Sequence, residues 1–256
     1  MSFTIAVAGK GGTGKTTFCG MLIERLCRDG KSPVLAVDAD ANANLNEVLG
    51  VEVEETLGDV REEIERAEYD GNIIPVGMGK QDYMQWRFNN ALIEEDDYDM
   101  LVMGRSQGKG CYCFVNGLLQ TQLLKIADNY KYIVVDNEAG MEHLSRGLLP
   151  KVDILLLVSD CSRRGVQAAG RIAELAKELN INPRAVKLIV NRAPGGVLNE
   201  GTAEEIKNRG LDLLGVIPHD DMVYEYDCNG NPTSSLPEDS AAKKAFDSLY
   251  RQLILL

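Results

Sequence analysis

This sequence is short of positive charge relative to negative. Its 256 residues carry 27 lysines and arginines against 39 aspartates and glutamates, a formal net charge of −12. A phosphate-rich polymer is repelled by that balance, so no nucleic-acid partner is expected. Long apolar runs are missing too. The longest, Ile154–Val158, is far too short to cross a bilayer. No basic segment precedes a cleavable apolar stretch, so no signal peptide is read and a cytoplasmic location is expected. No Pro/Ser-rich linker, internal repeat or low-complexity tract divides the chain, and its length suits one α/β domain over residues 1–256. The six cysteines therefore point to free or metal-bound thiols rather than to a disulfide framework.

What is present is concentrated near the N-terminus. A strand-like run, Thr4–Ala8, passes straight into GKGGTGKTT, Gly9 to Thr17. Gly9, Gly14, Lys15 and Thr16 fit the phosphate-loop pattern G-x-x-x-x-G-K-[ST] in its strand–loop–helix context. Glycines at such a turn (Gly9, Gly11, Gly12, Gly14) let backbone N–H groups of the loop, Thr13 and Thr17 included, converge on a phosphate. The helix that follows adds the positive end of its dipole. In this pattern Lys15 reaches the outer phosphates and the Thr16 hydroxyl ligates Mg²⁺. Lys10 is a second lysine that an ordinary phosphate loop does not need.

Further strands are expected at Val34–Val37, Met100–Met103, Tyr132–Val135, Ile154–Val158, Val186–Val190 and Leu214–Ile217. Most are short, near-continuous apolar runs, as in strands buried on both faces of a parallel sheet. Helical patterns lie between them: Thr16–Arg28, stopped at Gly30; Val115–Ala127; Gly165–Leu179; and roughly Ser240–Ile254, capped by Asp239 or Ser240. The alternation predicts a doubly wound, mostly parallel sheet flanked by helices, with ligands at the carboxyl ends of the strands. The motifs fall at those ends. Asp38 and Asp40 close the second strand, placed for Mg²⁺-bound water and an attacking water. Asp136 follows four apolar residues, with Gly140 four positions on. Asn191 and Arg192 end another strand, and Pro218 closes the last. Residues Thr56–Ala91 read as a surface insertion: a charged helix to Ala67, then the lone tryptophan, Trp86.

GKGGTGKTT resembles the deviant Walker A loop of the nitrogenase iron protein/MinD class of ATPases, and the later motifs follow that family's order along the chain. The resemblance implies an ATPase, binding ATP/ADP and Mg²⁺, that dimerises face to face with Lys10 reaching the partner's nucleotide. It implies that Asp38 binds the Mg²⁺ shell, that Asp40 positions the hydrolytic water, and that Asp136 and Gly140 form the Walker B and switch II pair. It also implies that Asn191 bonds the adenine edge, that Arg192 lies over the base, and that Pro218 closes the base pocket.

One further feature is GKGCYCFVNG, with Cys111 and Cys113 on a Gly-rich loop. A CxC pair can turn two thiolates to one soft metal, nickel or zinc, and a symmetric dimer supplies the other two. The alternative is a pair of incidental thiols. With the CxC and the stretch Glu138–Gly147 added, the chain resembles the CooC/AcsF-type nickel-insertion ATPases. That likeness implies carbon monoxide dehydrogenase or acetyl-CoA synthase as client. Two other readings stay open: an iron–sulfur electron-transfer ATPase of the iron-protein kind, and a MinD/ParA-like positioning ATPase. Lys243, Lys244 and Arg251 raise membrane anchoring, but acidic neighbours and the short apolar tail Leu253–Leu256 favour ordinary packing. Cys19, Cys27 and Cys161 are expected to pack. Cys228 and His143 receive no role.

Overall fold

The computed structural model describes residues 2–40, 42–69, 73–104, 113–138 and 151–256. Eight strands lie in one sheet: β1 (Phe3–Gly9), β2 (Val34–Ala39), β3 (Ile93–Glu94), β4 (Tyr98–Val102), β5 (Tyr132–Asn137), β6 (Ile154–Asp160), β7 (Ala185–Ala193) and β8 (Leu213–Pro218). Their order is β3-β4-β2-β5-β1-β6-β7-β8. Every adjacent pair is parallel except the antiparallel β3–β4 edge. Order and direction are those of a doubly wound α/β sheet, with β1 central.

The apolar runs give this sheet because side chains alternate between its faces and both faces are covered. Along β1, Ile5 and Val7 face one core and Ala6 and Ala8 the other, all fully buried. The first core is roofed by α1 (Lys15–Arg28), the short α2 (Leu45–Leu49) and α9 (Ala241–Leu253); Phe18 and Phe246 meet edge-on there at 5.2 Å. The second lies under α3 (Leu57–Tyr69), α4 (Lys80–Asn90), α5 (Cys113–Ala127), α6 (Arg163–Glu178) and α7 (Glu200–Asn208). A further helix, α8 (Asp221–Cys228), follows β8.

The expected strands are all present, mostly a residue or two longer. β4 differs in phase, starting at Tyr98 and ending at Val102, and the Met103 N–H makes the last rung to the Asp38 carbonyl of β2. Gly30 takes the left-handed conformation that stops α1, and Ser240 caps α9 by accepting from the Lys243 N–H. The insertion at Thr56–Ala91 is more integral than its sequence suggests. Val60, Ile64, Met84 and Phe88 are buried in the core, and Trp86 stays half exposed. Thr56 caps α3, exchanging hydrogen bonds with Asp59.

Candidate functional site

The phosphate loop leaves β1 at Gly9 and enters α1 at Lys15, beside the carboxyl ends of β5 and β6. A Cβ at Gly9 would overlap the Val158 carbonyl oxygen of β6, so only glycine fits where the loop departs. Gly14 is left-handed (φ 88°) and supplies no side-chain cap, which leaves the first N–H groups of α1 to a ligand. Within the loop, the Thr13 hydroxyl donates to the Lys10 carbonyl at 2.9 Å and Lys15 Nζ lies 3.5 Å from the same oxygen. Thr13 and Lys15 are buried; Lys10 is exposed.

Two carboxylates converge behind this loop. Asp38 is fully buried, one oxygen accepting from the Asp40 N–H (3.0 Å) and the other from the Leu45 N–H (2.9 Å). Burial raises its pKa, and those N–H donors hold it back. Asp136 pairs with Asp38 across β5 and β2. Its carboxyl meets the Thr16 hydroxyl, and burial, reinforced by the Asp38 charge, pushes its pKa up to about 7 against the Thr16 bond and Lys15. Its Oδ1 is buried and has no hydrogen-bond partner among the described residues. An orphaned carboxylate oxygen beside a hydroxyl, both hard donors next to a phosphate cradle, fits Mg²⁺, which takes one or two protein ligands plus water and phosphate. Among the described residues no group of three or more His, Cys, Asp or Glu side chains converges on a metal ion.

A cavity of 770 Å³ opens over the loop, lined by Gly12, Lys15, Thr16, Asp40 and Glu138 among others. Its far wall comes from residues the sequence did not single out: Asn44 and Glu47 around α2, Asp227 in the last turn of α8 and Asn231 after it. The only local signal was the Asn229-Gly230-Asn231-Pro232 turn. Asp40 lies on this cavity with its Oδ1 held by the Asn42 N–H at 2.8 Å. A second, more enclosed space of 240 Å³ adjoins it, bounded by Phe18, Met21, Asn191, Pro218, Val223 and Tyr224. Asn191 and Arg192 also bond the phosphate loop, to the Thr13 carbonyl (2.9 Å) and the Gly12 carbonyl (3.1 Å).

The structure thus brings Gly9–Thr17, Asp38, Asp40, Asp136, Asn191, Arg192 and Pro218 to one end of the sheet. Cys111, Gly140 and His143 lie outside the described residues, and Cys113 enters only as the first backbone position of α5. Cys19 is buried against Asp136, as packing predicts, and Cys228 is exposed at the end of α8. Among the described residues no helix is long and apolar enough to cross a membrane.

Known proteins carry the same plan. The family model of the CobQ/CobB/MinD/ParA nucleotide binding domain matches residues 4–233. An uncharacterized ATP-binding protein of Methanocaldococcus jannaschii is 41% identical over 98% of both chains. The carbon monoxide dehydrogenase accessory protein CooC of Rhodospirillum rubrum is 32% identical over 88% of this chain and 87% of its own. The cell division ATPase MinD of Pyrococcus furiosus, 24% identical, superposes with a TM-score of 0.71 over 100% of this chain and 99% of that one, which bears on the fold. With its phosphate loop in place, the chain belongs to the CobQ/CobB/MinD/ParA nucleotide-binding family and is a P-loop ATPase.

Proposed function

We propose that this ATPase is a metallochaperone, a single domain over residues 1–256 that carries nickel to a carbon monoxide dehydrogenase or acetyl-CoA synthase. The observation that carries the reading is the CxC pair, Cys111 and Cys113, in the sequence that leads from β4 into the start of α5. The similarity to CooC over most of both chains supports it. Nickel is the cargo here, and zinc is the competing occupant, since thiolates accept either.

In this reading the triphosphate lies on the Gly9–Thr17 loop, with Lys15 on its outer phosphates and the adenine in the 240 Å³ space beside Pro218. Thr16, Asp136 and the water held by Asp38 bind Mg²⁺, whose charge offsets that of the phosphates. Asp40 orients the attacking water from the cavity wall. The dimer is completed by Lys10 reaching the partner's phosphates, and Gly140 senses the γ-phosphate. Two copies then contribute two thiolates each to one metal ion, so binding the ion favours the dimer by mass action.

The test is an anaerobic nickel titration followed by absorbance and sedimentation, with and without ATP. One ion per dimer is expected, with thiolate charge-transfer bands lost in Cys111→Ser and in Cys113→Ser while ATP still binds. One ion per monomer, or full binding by Cys113→Ser, removes the shared-thiolate site. A brown protein with a broad visible band would instead favour the iron–sulfur reading.

A further inference from the structure

Four carbonyls of the phosphate loop are taken. Lys10 O accepts from Thr13 Oγ1, and Gly14 O accepts from the Phe18 N–H at 3.0 Å. Of the three between them, those of Gly12 and Thr13 are held from another strand, 180 and 178 residues away. Asn191 Nδ2 donates to Thr13 O at 2.9 Å, and Arg192 Nη1 donates to Gly12 O at 3.1 Å.

The end of β7 is built for this. Asn191 pairs with Asp160 of β6, the strand that borders β1, which brings it alongside the loop. Its Oδ1 accepts the Arg192 N–H at 2.9 Å, so both ends of the amide are engaged and its orientation is set. A Cβ at Gly14 would overlap Asn191 Nδ2, so the loop glycine is what lets the amide approach. Arg192 itself has φ 56°, a left-handed conformation unfavourable for a side chain of its size. Strain at a non-glycine residue persists where surrounding contacts hold it, and the contact here is with the loop.

The consequence follows from peptide geometry. In a planar trans peptide the C=O and the next N–H point in opposite directions. Fixing the Gly12 and Thr13 carbonyls toward β7 therefore fixes the N–H groups of Thr13 and Gly14 away from it. Those are two of the donors a phosphate loop offers its ligand. We propose that Asn191 and Arg192 are positioning residues of the phosphate cradle, acting on the triphosphate through the loop backbone. The inference rests on the reading of Gly9–Thr17 as the triphosphate site and assigns that site its external brace.

The test compares calorimetric binding of Mg·ATP, Mg·GTP and Mg·tripolyphosphate. Tripolyphosphate has no base, so it separates the two roles. Asn191→Ala should weaken tripolyphosphate by a factor of about 5–10, the worth of one hydrogen bond, and both nucleotides by at least as much. Asn191→Asp keeps the shape but turns the donor into an acceptor facing Thr13 O, so it should weaken them further. Arg192 is exposed, so Arg192→Ala spares the buried packing and should act in the same direction, with Arg192→Lys recovering part of the loss. If Asn191→Ala and Arg192→Ala weaken ATP and leave tripolyphosphate unchanged, both residues read the base and the proposal fails. Unchanged binding of every ligand also overturns it. Lys15→Ala is the control: if it leaves tripolyphosphate binding intact, the phosphate-loop reading itself is lost, an outcome separate from either of these.

Discussion

The Ser240 hydroxyl donates to Asp220 Oδ2 at 2.6 Å, and through it one carboxylate serves the starts of two helices. Asp220 Oδ1 caps α8 by accepting from the Met222 N–H, and its Oδ2 also takes the Ala242 N–H in the first turn of α9. Asp220 and Ala242 both border the 240 Å³ space, so this junction forms part of the wall where the base is proposed to lie.

Burial pushes the Asp220 pKa up, but the Ala242 N–H, the Ser240 hydroxyl and the Met222 N–H outweigh it and leave the value lowered. An acid whose folded pKa is lowered contributes stability above its unfolded pKa and loses it as pH falls through the folded value. Asp220→Asn should therefore cost about 1–2 kcal/mol at neutral pH, the usual worth of a strong cap. The gap to wild type should close in acid, below the ordinary aspartate range. Thermal melts of both proteins from neutral pH to pH 3 check this. A gap that stays constant would mean that the Asp220 charge contributes nothing.

Asp40 lies on the large cavity at the end of β2, and Asp38 below it is spent on backbone N–H groups. That division predicts different variants. Asp40→Ala should bind ATP with near wild-type affinity and lower kcat by roughly 10²-fold or more, as expected when a group that handles the attacking water is lost. It should accumulate as the ATP-bound dimer. Asp38→Ala should instead be unstable, because the N–H donors of Asp40 and Leu45 lose their buried acceptor. Single-turnover hydrolysis with a melt on each variant separates the two; wild-type turnover by Asp40→Ala would remove it from the chemistry.

Lys10 is exposed, and within the loop it is the Lys10 carbonyl that accepts hydrogen bonds. A side chain with no duty in its own loop suits a role across an interface. Lys10→Ala should keep nucleotide affinity in dilute protein, where monomer dominates, and lose ATP-dependent association together with turnover. Sedimentation with and without ATP is the measurement. Normal dimerisation with normal hydrolysis would place Lys10 outside the interface.

Much of this site was legible because its chemistry is local. The phosphate loop is nine consecutive residues, and Asp38 and Asp136 each end an apolar run that folds as a buried strand. Long-range geometry was not legible. Nothing around Asn191 announces the Thr13 carbonyl, because the two meet only when β1, β6 and β7 align. The two-residue β3 is too short to leave a pattern and exists by pairing with β4. The insertion hid its role for another reason. Val60, Ile64, Met84 and Phe88 are sparse among charges, and only the packing of α3 against α4 and α5 turns them into one buried face.

Gly9 and Gly12 should fail for different reasons when replaced by alanine. Gly9 has an ordinary backbone, but its Cβ would overlap the Val158 carbonyl, part of a central strand that cannot yield. Gly12 has open space around the missing Cβ but a φ of +77°. Gly12→Ala then carries mainly the left-handed penalty, about 1–2 kcal/mol. Gly9→Ala must part β1 from β6 and should reach the upper end of overpacking costs, about 3 kcal/mol or more. Urea unfolding of both variants gives the order, with Gly9→Ala the less stable. Both sites flank the phosphate cradle, so the contrast has to appear without nucleotide, where binding plays no part. If Gly12→Ala proves the more damaging, the loop is held by its backbone angles more than by its packing against β6.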